Sequence, residues 1–222
     1  YQANIAPVCL NLFRPTLLIA GHLFRHDMVT FYAPKLSPIE AYRAYESMIQ
    51  AVVKKSRAMA TLIKDVSDEL VPYFQNFASQ YTQLRNDISM QMSLPKDWNS
   101  FEDYEKALKH KYAQKLRKVR SSLSKLTIKE LDTQQVAENA SIIYQLYRQV
   151  SGRQALSLGL LNESFLPELK KQNEDELKLW AFYEEEKMVA FASAWVHPSC
   201  FDMFYIGFDY NRNAELNLYF NI

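Results

Sequence analysis

Glycine is scarce. The 222 residues hold four, Gly21, Gly152, Gly159 and Gly207. They are too few and too scattered for a P-loop or a G-x-G-x-x-G turn, which excludes nucleotide cradles built on glycine. Cysteine is scarcer still. Cys9 and Cys200 stand far apart with no metal-type spacing, and two lone thiols suit a reducing compartment better than a disulfide framework. Neither lies in a nucleophile elbow, so a hydrolase is not expected. Of the four histidines, His22 and His26 are four apart. They sit in a polar, glycine-led segment with no third ligand at a fitting spacing, so no metal is expected. Charge of one sign is also missing: the net charge is +1, which points to neither a nucleic-acid protein nor an acidic tail. No apolar run approaches the ~20 residues of a membrane span, and no secretory signal is visible. The chain begins at Tyr1 rather than Met, leaving room for a removed leader, and a cytoplasmic location is the expectation. No feature fixes an oligomeric state.

Core-forming material is plentiful. Hydrophobic residues make up 48% and aromatics 14%, enough to fill a real core, and the length allows one or two domains. Thr16 to Ala20 reads as a short strand. Ser37-Pro38-Ile39-Glu40 is a strong helix start, with Ser as N-cap, Pro at the first position and Glu closing a capping box. Ile39, Tyr42, Ile49 and Val53 give this helix its apolar side. Lys54, Lys55 and Arg57 suit its negative end. Ala58 to Ile63 reads as a strand and Leu70 to Phe77 as a short helix. From Ile88 to Leu94 apolar and polar residues alternate, the cleanest period-two strand in the chain. Pro95 to Asn99 is a candidate linker.

Ser100 to Asp103 is a second capping box. Phe101, Tyr104, Leu108, Tyr112, Leu116, Val119 and Leu123 follow at helical steps, predicting one amphipathic helix of about six turns. No acid lies between Lys106 and Lys125. Lys111, Lys115, Arg117, Lys118 and Arg120 therefore form a candidate face for phosphate or RNA, against the plainer reading of a solvated helix surface. No aromatic is expected to face outward among them, which disfavours base stacking. Thr127 to Leu131 fits a strand or a turn. A helix runs from a cap at Asp132 or Thr133 to Val150, with Val136, Ile143, Leu146 and Val150 inward, and Phe165 to Lys171 is a further short helix.

The last forty-odd residues are the most legible. Leu177–Tyr183, Met188–Val196 and Phe201–Phe208 read as three strands, separated by the charged turn Glu184–Lys187 and the break His197-Pro198-Ser199. Asp209 to Asn213 reads as a polar connection, and Ala214 to Ile222 as the opening of a helix, with Tyr219 in the core.

Two meander strands, a third strand and a polar turn into a helix resemble the middle of a GNAT-type acyltransferase domain. The words "MVAFASAW", "FYIGFDYNRN" and "LNLYFNI", with "DWNSFEDYEKALKHKYAQKLRKVR", resemble the GNAT-like proteins related to the Fem aminoacyl transferases of peptidoglycan synthesis. The resemblance implies an α/β (α+β) fold with GNAT-like mixed sheets flanked by helices, in tandem and with incomplete ends. Residues 1–95 would be the C-terminal part of a first domain. Residues 96–222 would be a basic linker helix and the N-terminal part of a second. Leu18-Ile19-Ala20-Gly21 running into a loop and helix echoes Tyr205-Ile206-Gly207-Phe208 in the same setting.

The implied activity is transfer of an acyl or aminoacyl group to an amine of a cell-envelope or polysaccharide precursor. The alternative is a non-catalytic GNAT-like module that binds an anionic carbohydrate, a peptide precursor or RNA. GNAT enzymes hold the pyrophosphate of acyl-CoA on backbone N–H groups at a helix N-terminus, where an anion is well placed. Here Ile206, Gly207, Phe208, Asn211 and Asn213 would bind the donor, and Asp209 and Tyr210 would serve proton transfer. The turn departs from the CoA pattern, because no glycine follows Gly207 and because Asp209 and Glu215 add negative charge. Fem proteins also lack that turn and take aminoacyl-tRNA, so either acyl-CoA or aminoacyl-tRNA is a candidate donor.

Overall fold

The computed structural model describes residues 16–22, 31–77, 80–84, 90–153 and 159–222. The chain divides into two compact units, Tyr1–Met92 and Ser93–Ile222.

In the first unit β1 (Leu17–Ala20) and β2 (Ala60–Ile63) pair in parallel, with Leu17 opposite Ala60 and Ala20 opposite Ile63. Parallel neighbours need a crossover, and α1 (Pro38–Ser56) supplies it. The helix starts where the local chemistry dictates. Pro38 opens it, and the Glu40 carboxylate accepts the Ser37 N–H at 2.9 Å to close the capping box. It stops at Arg57, left-handed at φ 53°, whose N–H returns to the Val53 carbonyl. Ala41, Tyr42 and Ile49 are buried. Tyr42 packs on Tyr73 and Phe74 of α2 (Val71–Phe77). Gly21 has φ 133°, and a Cβ there would stand 2.8 Å from Lys64 Cβ, so this strand exit requires glycine. His26 and Cys9 lie outside the described residues.

The alternating run did not become a strand. Met90 to Leu94 pairs with nothing in a sheet, and Met90, Met92 and Leu94 are 94%, 63% and 67% exposed. Ile88 and Ser89 lie outside the described residues. Alternation specifies a face, but a strand also needs a neighbour to take its N–H and C=O groups, and among the described residues none is paired with it.

The second unit begins with α3 (Phe101–Ala107) and α4 (His110–Arg120), then a 3-10 turn over Ser121–Lys125. The single long helix expected here is broken: Leu108 is extended at φ −73°, ψ 145°. No proline or glycine causes the break. Its effect is a helical hairpin. Arg117 reaches Glu105, and the Arg120 guanidinium lies 4.1 Å from the centre of the Phe101 ring. In a straight helix twelve residues would span ~18 Å. The apolar stripe is split accordingly: α4 buries Ala113 and Val119, while Tyr112 stays 51% exposed.

β3 (Thr127–Glu130), β4 (Leu177–Glu184), β5 (Lys187–His197) and β6 (Cys200–Phe208) form an antiparallel sheet in chain order. The three C-terminal strands lie where the sequence places them. Between β3 and β4 run α5 (Thr133–Glu138), α6 (Ala140–Ser151) and α7 (Phe165–Gln172). The helix expected from Asp132 to Val150 is divided at Asn139, and Val136, Ile143 and Leu146 are buried as anticipated. α6 lies across the sheet face that carries Gly207 and Phe191. A Cβ on Gly207 would stand 2.5 Å from Tyr147 N and 2.6 Å from the Leu146 carbonyl carbon. The opposite face is covered by α8 (Tyr210–Leu216) and α9 (Leu218–Asn221), whose Leu216 and Leu218 join Phe182, Ala190, Ala192 and Phe208 in one buried cluster.

The polar connection expected at 209–213 is already helix. Asp209 caps α8 and Tyr210 is its first residue, because the Asp209 side chain replaces a missing backbone partner. The helix then stops at Asn217, left-handed at φ 50°, instead of running on to Ile222. That turn sends Tyr219 outward at 56% exposure, so Tyr219 is not core. Among the described residues no helix is long and apolar enough to cross a membrane.

Candidate functional site

The candidate site is the corner where β6 runs into α8, and a defect in the sheet shapes it. Ala192 pairs with Ile206, but Ala194 pairs with Met203, so Phe204 and Tyr205 together face Ser193. This bulge puts one extra residue in β6. Bulges bend a strand and re-aim the residues beyond them. The fully buried Ser193 hydroxyl bridges the gap, donating to the Tyr205 carbonyl at 2.8 Å and accepting the Tyr205 N–H at 3.0 Å. The Tyr205 ring packs edge-on against Tyr147 and Phe165, and burial pushes its hydroxyl up to about 12.

β6 ends at the corner. The Asp209 N–H donates to Val189 O at 2.8 Å, fixing the exit. Every N–H in the first turn of α8 already has an acceptor. Tyr210 N–H donates to Gln149 Oε1 at 3.1 Å, and Asn211 N–H to Asp209 Oδ1 at 3.0 Å. Arg212 and Asn213 N–H groups both donate to the Asp209 carbonyl at 3.1 Å. A helix start attracts anions because its first N–H groups lack partners. Here the partners are supplied internally.

Charge at the corner is balanced in the same way. The Arg212 guanidinium grips Glu184 of β4 through Nε, at 2.8 Å, and through Nη2, and it meets Glu215 at 3.0 Å. Glu215 also meets Lys125 at 3.1 Å. The Lys125 hydrogen bond and the Arg212 charge hold the Glu215 carboxyl below its ordinary value, and the Glu184 hydrogen bond raises Arg212. Glu215 thus anchors α8 to the 3-10 turn. Asp209 is buried, with Oδ2 3.6 Å from the exposed Lys187 ammonium. Tyr210 is half-buried, its ring 4.6 Å from the Phe208 ring on one side and 3.7 Å from the Arg153 guanidinium.

The structure therefore places Asp209 and Tyr210 side by side at one corner. Of the other expected donor residues, Phe208 is in the core cluster, Ile206 packs against it, and Gly207 lies beneath α6. Asn213 accepts the Tyr219 N–H at 2.9 Å, and Asn211 is exposed.

Of the five basic residues expected to form a face on α4, Lys118 is exposed and the other four are engaged. Arg117 pairs with Glu105, Lys111 lies over Tyr112, Lys115 over Phe220 and Arg120 over Phe101. These rings are 51%, 60% and 43% exposed in that order, which overturns the expectation that no aromatic faces outward there. The break at Leu108 and the turn at Asn217 deliver them, and helical periodicity carries no sign of either.

Ser193, Gln149 and Arg153 escaped the sequence reading because serine in a strand and polar residues at a helix end are ordinary. Buried Lys170 was missed likewise. Its ammonium donates to the Glu174 and Leu177 carbonyls at 2.7 and 2.8 Å, and burial lowers it. Among the described residues no group of three or more His, Cys, Asp or Glu is placed to hold a metal ion.

A family described by its role in peptidoglycan biosynthesis/recognition, the FemAB-like family, matches residues 37–201, about three quarters of the chain. The match ends inside β6, so the Asp209–Tyr210 corner lies beyond it. No curated protein matches. Among solved structures, an aminoglycoside acetyltransferase from an uncultured soil metagenomic sample, in complex with sisomicin, is 13% identical. The likeness covers 44% of this chain and 71% of that one at a TM-score of 0.30. A C-terminal domain of the DUF2156 type from Agrobacterium fabrum is 16% identical over 53% of this chain and 39% of its own, at a TM-score of 0.34. Both likenesses are loose and partial.

Proposed function

We propose, from the premise that this chain belongs to the FemAB-like family, that it moves an acyl or aminoacyl group to an amine of a peptidoglycan or related cell-envelope precursor in a bacterial cytoplasm. The family match along 37–201 carries the reading, and the sheet that delivers β6 to the Asp209–Tyr210 corner supports it. On the same reading, residues 1–95 are the end of one GNAT-like domain and 96–222 the beginning of another.

The chemistry asks little of the protein beyond position. The amine nitrogen attacks the donor carbonyl carbon, a C–N bond forms, the bond to the leaving oxygen breaks, and the amine proton goes to that oxygen. Tyr210 is the group we assign to the proton transfer. Asp209 fixes the corner and its local charge, and Asn211 and Asn213 border the donor, with Ile206 to Phe208 packed behind them. Because the N–H groups opening α8 have acceptors within the protein, we favour aminoacyl-tRNA over acyl-CoA as donor.

A second reading, a non-catalytic module that binds RNA or an anionic precursor, gains support from the exposed rings beneath the basic residues of α4. Thermal midpoints with CoA, acetyl-CoA and a bulk aminoacyl-tRNA fraction at two salt concentrations test the donor, since a ligand of the folded state raises the midpoint by mass action. We expect no rise with either CoA compound, and a rise with the tRNA fraction that fades at high salt. A rise with CoA would restore the ordinary GNAT mechanism. No rise with any of them would favour the module that binds precursor alone.

A further inference from the structure

We infer that Arg153, assisted by Lys187, forms an oxyanion-binding site at the Asp209–Tyr210 corner, taking a phosphate or carboxylate group of a substrate. The Arg153 guanidinium carbon lies 3.7 Å from the centre of the Tyr210 ring. Stacked in this way, arginine keeps the edge of its planar fork, with its N–H donors, for a bidentate partner. Its surroundings hold it there. Arg153 N–H donates to Val150 O at 3.2 Å, closing the end of α6, and Gln149 in the same turn accepts the Tyr210 N–H. The ring is backed by Phe208. Among the described residues no carboxylate lies within ion-pair distance of Arg153, whereas Arg212, two residues along from Tyr210, is held by Glu184 and Glu215.

Lys187 reaches the adjacent residue. Its ammonium is 73% exposed and 3.6 Å from Asp209 Oδ2, so it neutralises the carboxylate that would otherwise repel an anion here. The backbone N–H groups of α8 are already bonded, so the side chains supply the donors that backbone provides in a phosphate-gripping turn. The source of the oxyanion, a phosphate of a nucleotide-linked substrate or the carboxylate of a peptide, rests on the transferase reading. The site itself does not.

Isothermal titration of the 222-residue chain, at constant ionic strength, tests it with two probes: inorganic pyrophosphate and N-acetyl-D-alanine. We expect saturable binding of one of them. Arg153→Gln should weaken it about tenfold or more, as loss of a charge-assisted pair implies. Lys187→Gln should weaken it less, and Arg148→Gln, which alters a second tyrosine-stacked arginine, should not change it. Pyrophosphate binding alone identifies a phosphate source, and N-acetyl-D-alanine binding alone a carboxylate. Arg153→Lys keeps the charge but loses the fork and should bind several-fold more weakly; it decides the matter if Arg153→Gln fails to fold by circular dichroism. Absence of binding by both probes, or equal binding by the Arg153 variants, would overturn the inference. Transfer activity is not the readout, so a chain that binds but transfers nothing would separate this site from the transferase reading.

Discussion

At Asp209 one carboxylate caps α8 through Asn211 N–H and faces Lys187, and two substitutions separate those duties from any chemical one. Asparagine caps a helix nearly as well as aspartate, whereas alanine costs ~1 kcal/mol. Urea denaturation should therefore leave Asp209→Asn near wild type and show Asp209→Ala weakened by about that amount. If Asp209→Asn is stable but loses transfer, the carboxylate acts in the chemistry; if it transfers normally, Asp209 only holds the corner. Ser193 is a sterner case. Its hydroxyl is the partner of both Tyr205 backbone groups across the bulge. Ser193→Ala leaves a partly buried N–H and C=O without it and should cost about 1–2 kcal/mol, read from the denaturation midpoint. Neither role was legible in the residue type. The Asp209 cap was nearly so, since Asp before an apolar-periodic segment is an N-cap signal, but the polar run after it read as a turn.

Among the elements, β4, β5 and β6 were legible because continuous apolar and aromatic runs bounded by Glu185-Glu186 and Pro198-Ser199 leave little else to form. The capping boxes at Ser37 and Ser100 were legible for the same local reason. Met90–Leu94 and the α3–α4 break were not, because both are settled by what lies beside the segment and periodicity reports only the segment itself. Close packing of α6 on β6 depends on Gly207 lacking a side chain. Gly207→Ala would press Cβ into the Leu146–Tyr147 backbone and the Phe191 ring, and should destabilise by ~1–3 kcal/mol or more.

The anchoring of α8 should depend on pH. Glu215 is held below its ordinary value in the folded chain by Lys125 and Arg212, so its stabilisation is complete above the unfolded-state value and is lost as pH falls through the lower folded-state one. The stability gap between wild type and Glu215→Gln should be present at neutral pH and close through the acidic range below the ordinary glutamate value. A gap that does not change with pH would show that the anchor is not electrostatic.

For the whole molecule, the near-zero net charge conceals local order. The net +1 is spread over a basic, ring-studded α4 region and an acid-balanced corner, and composition averages the two away. The family was legible from scattered words, and the match over residues 37–201 agrees with them. The run of β6 into a helix was legible, but not how the helix start is satisfied, because Gln149 and Asp209 take its N–H groups and Gln149 lies 61 residues from Tyr210 in sequence. The most direct measurement of transfer is a single-turnover reaction followed by mass spectrometry. It would use an amine-bearing peptidoglycan precursor as acceptor, with aminoacyl-tRNA or acetyl-CoA as donor. An aminoacyl transferase with Tyr210 at its centre should add the mass of the aminoacyl group to the precursor from the tRNA donor, add nothing from acetyl-CoA, and add nothing with Tyr210→Phe. Acetylation from acetyl-CoA, or no gain from any donor by a chain that still binds the precursor, would contradict it.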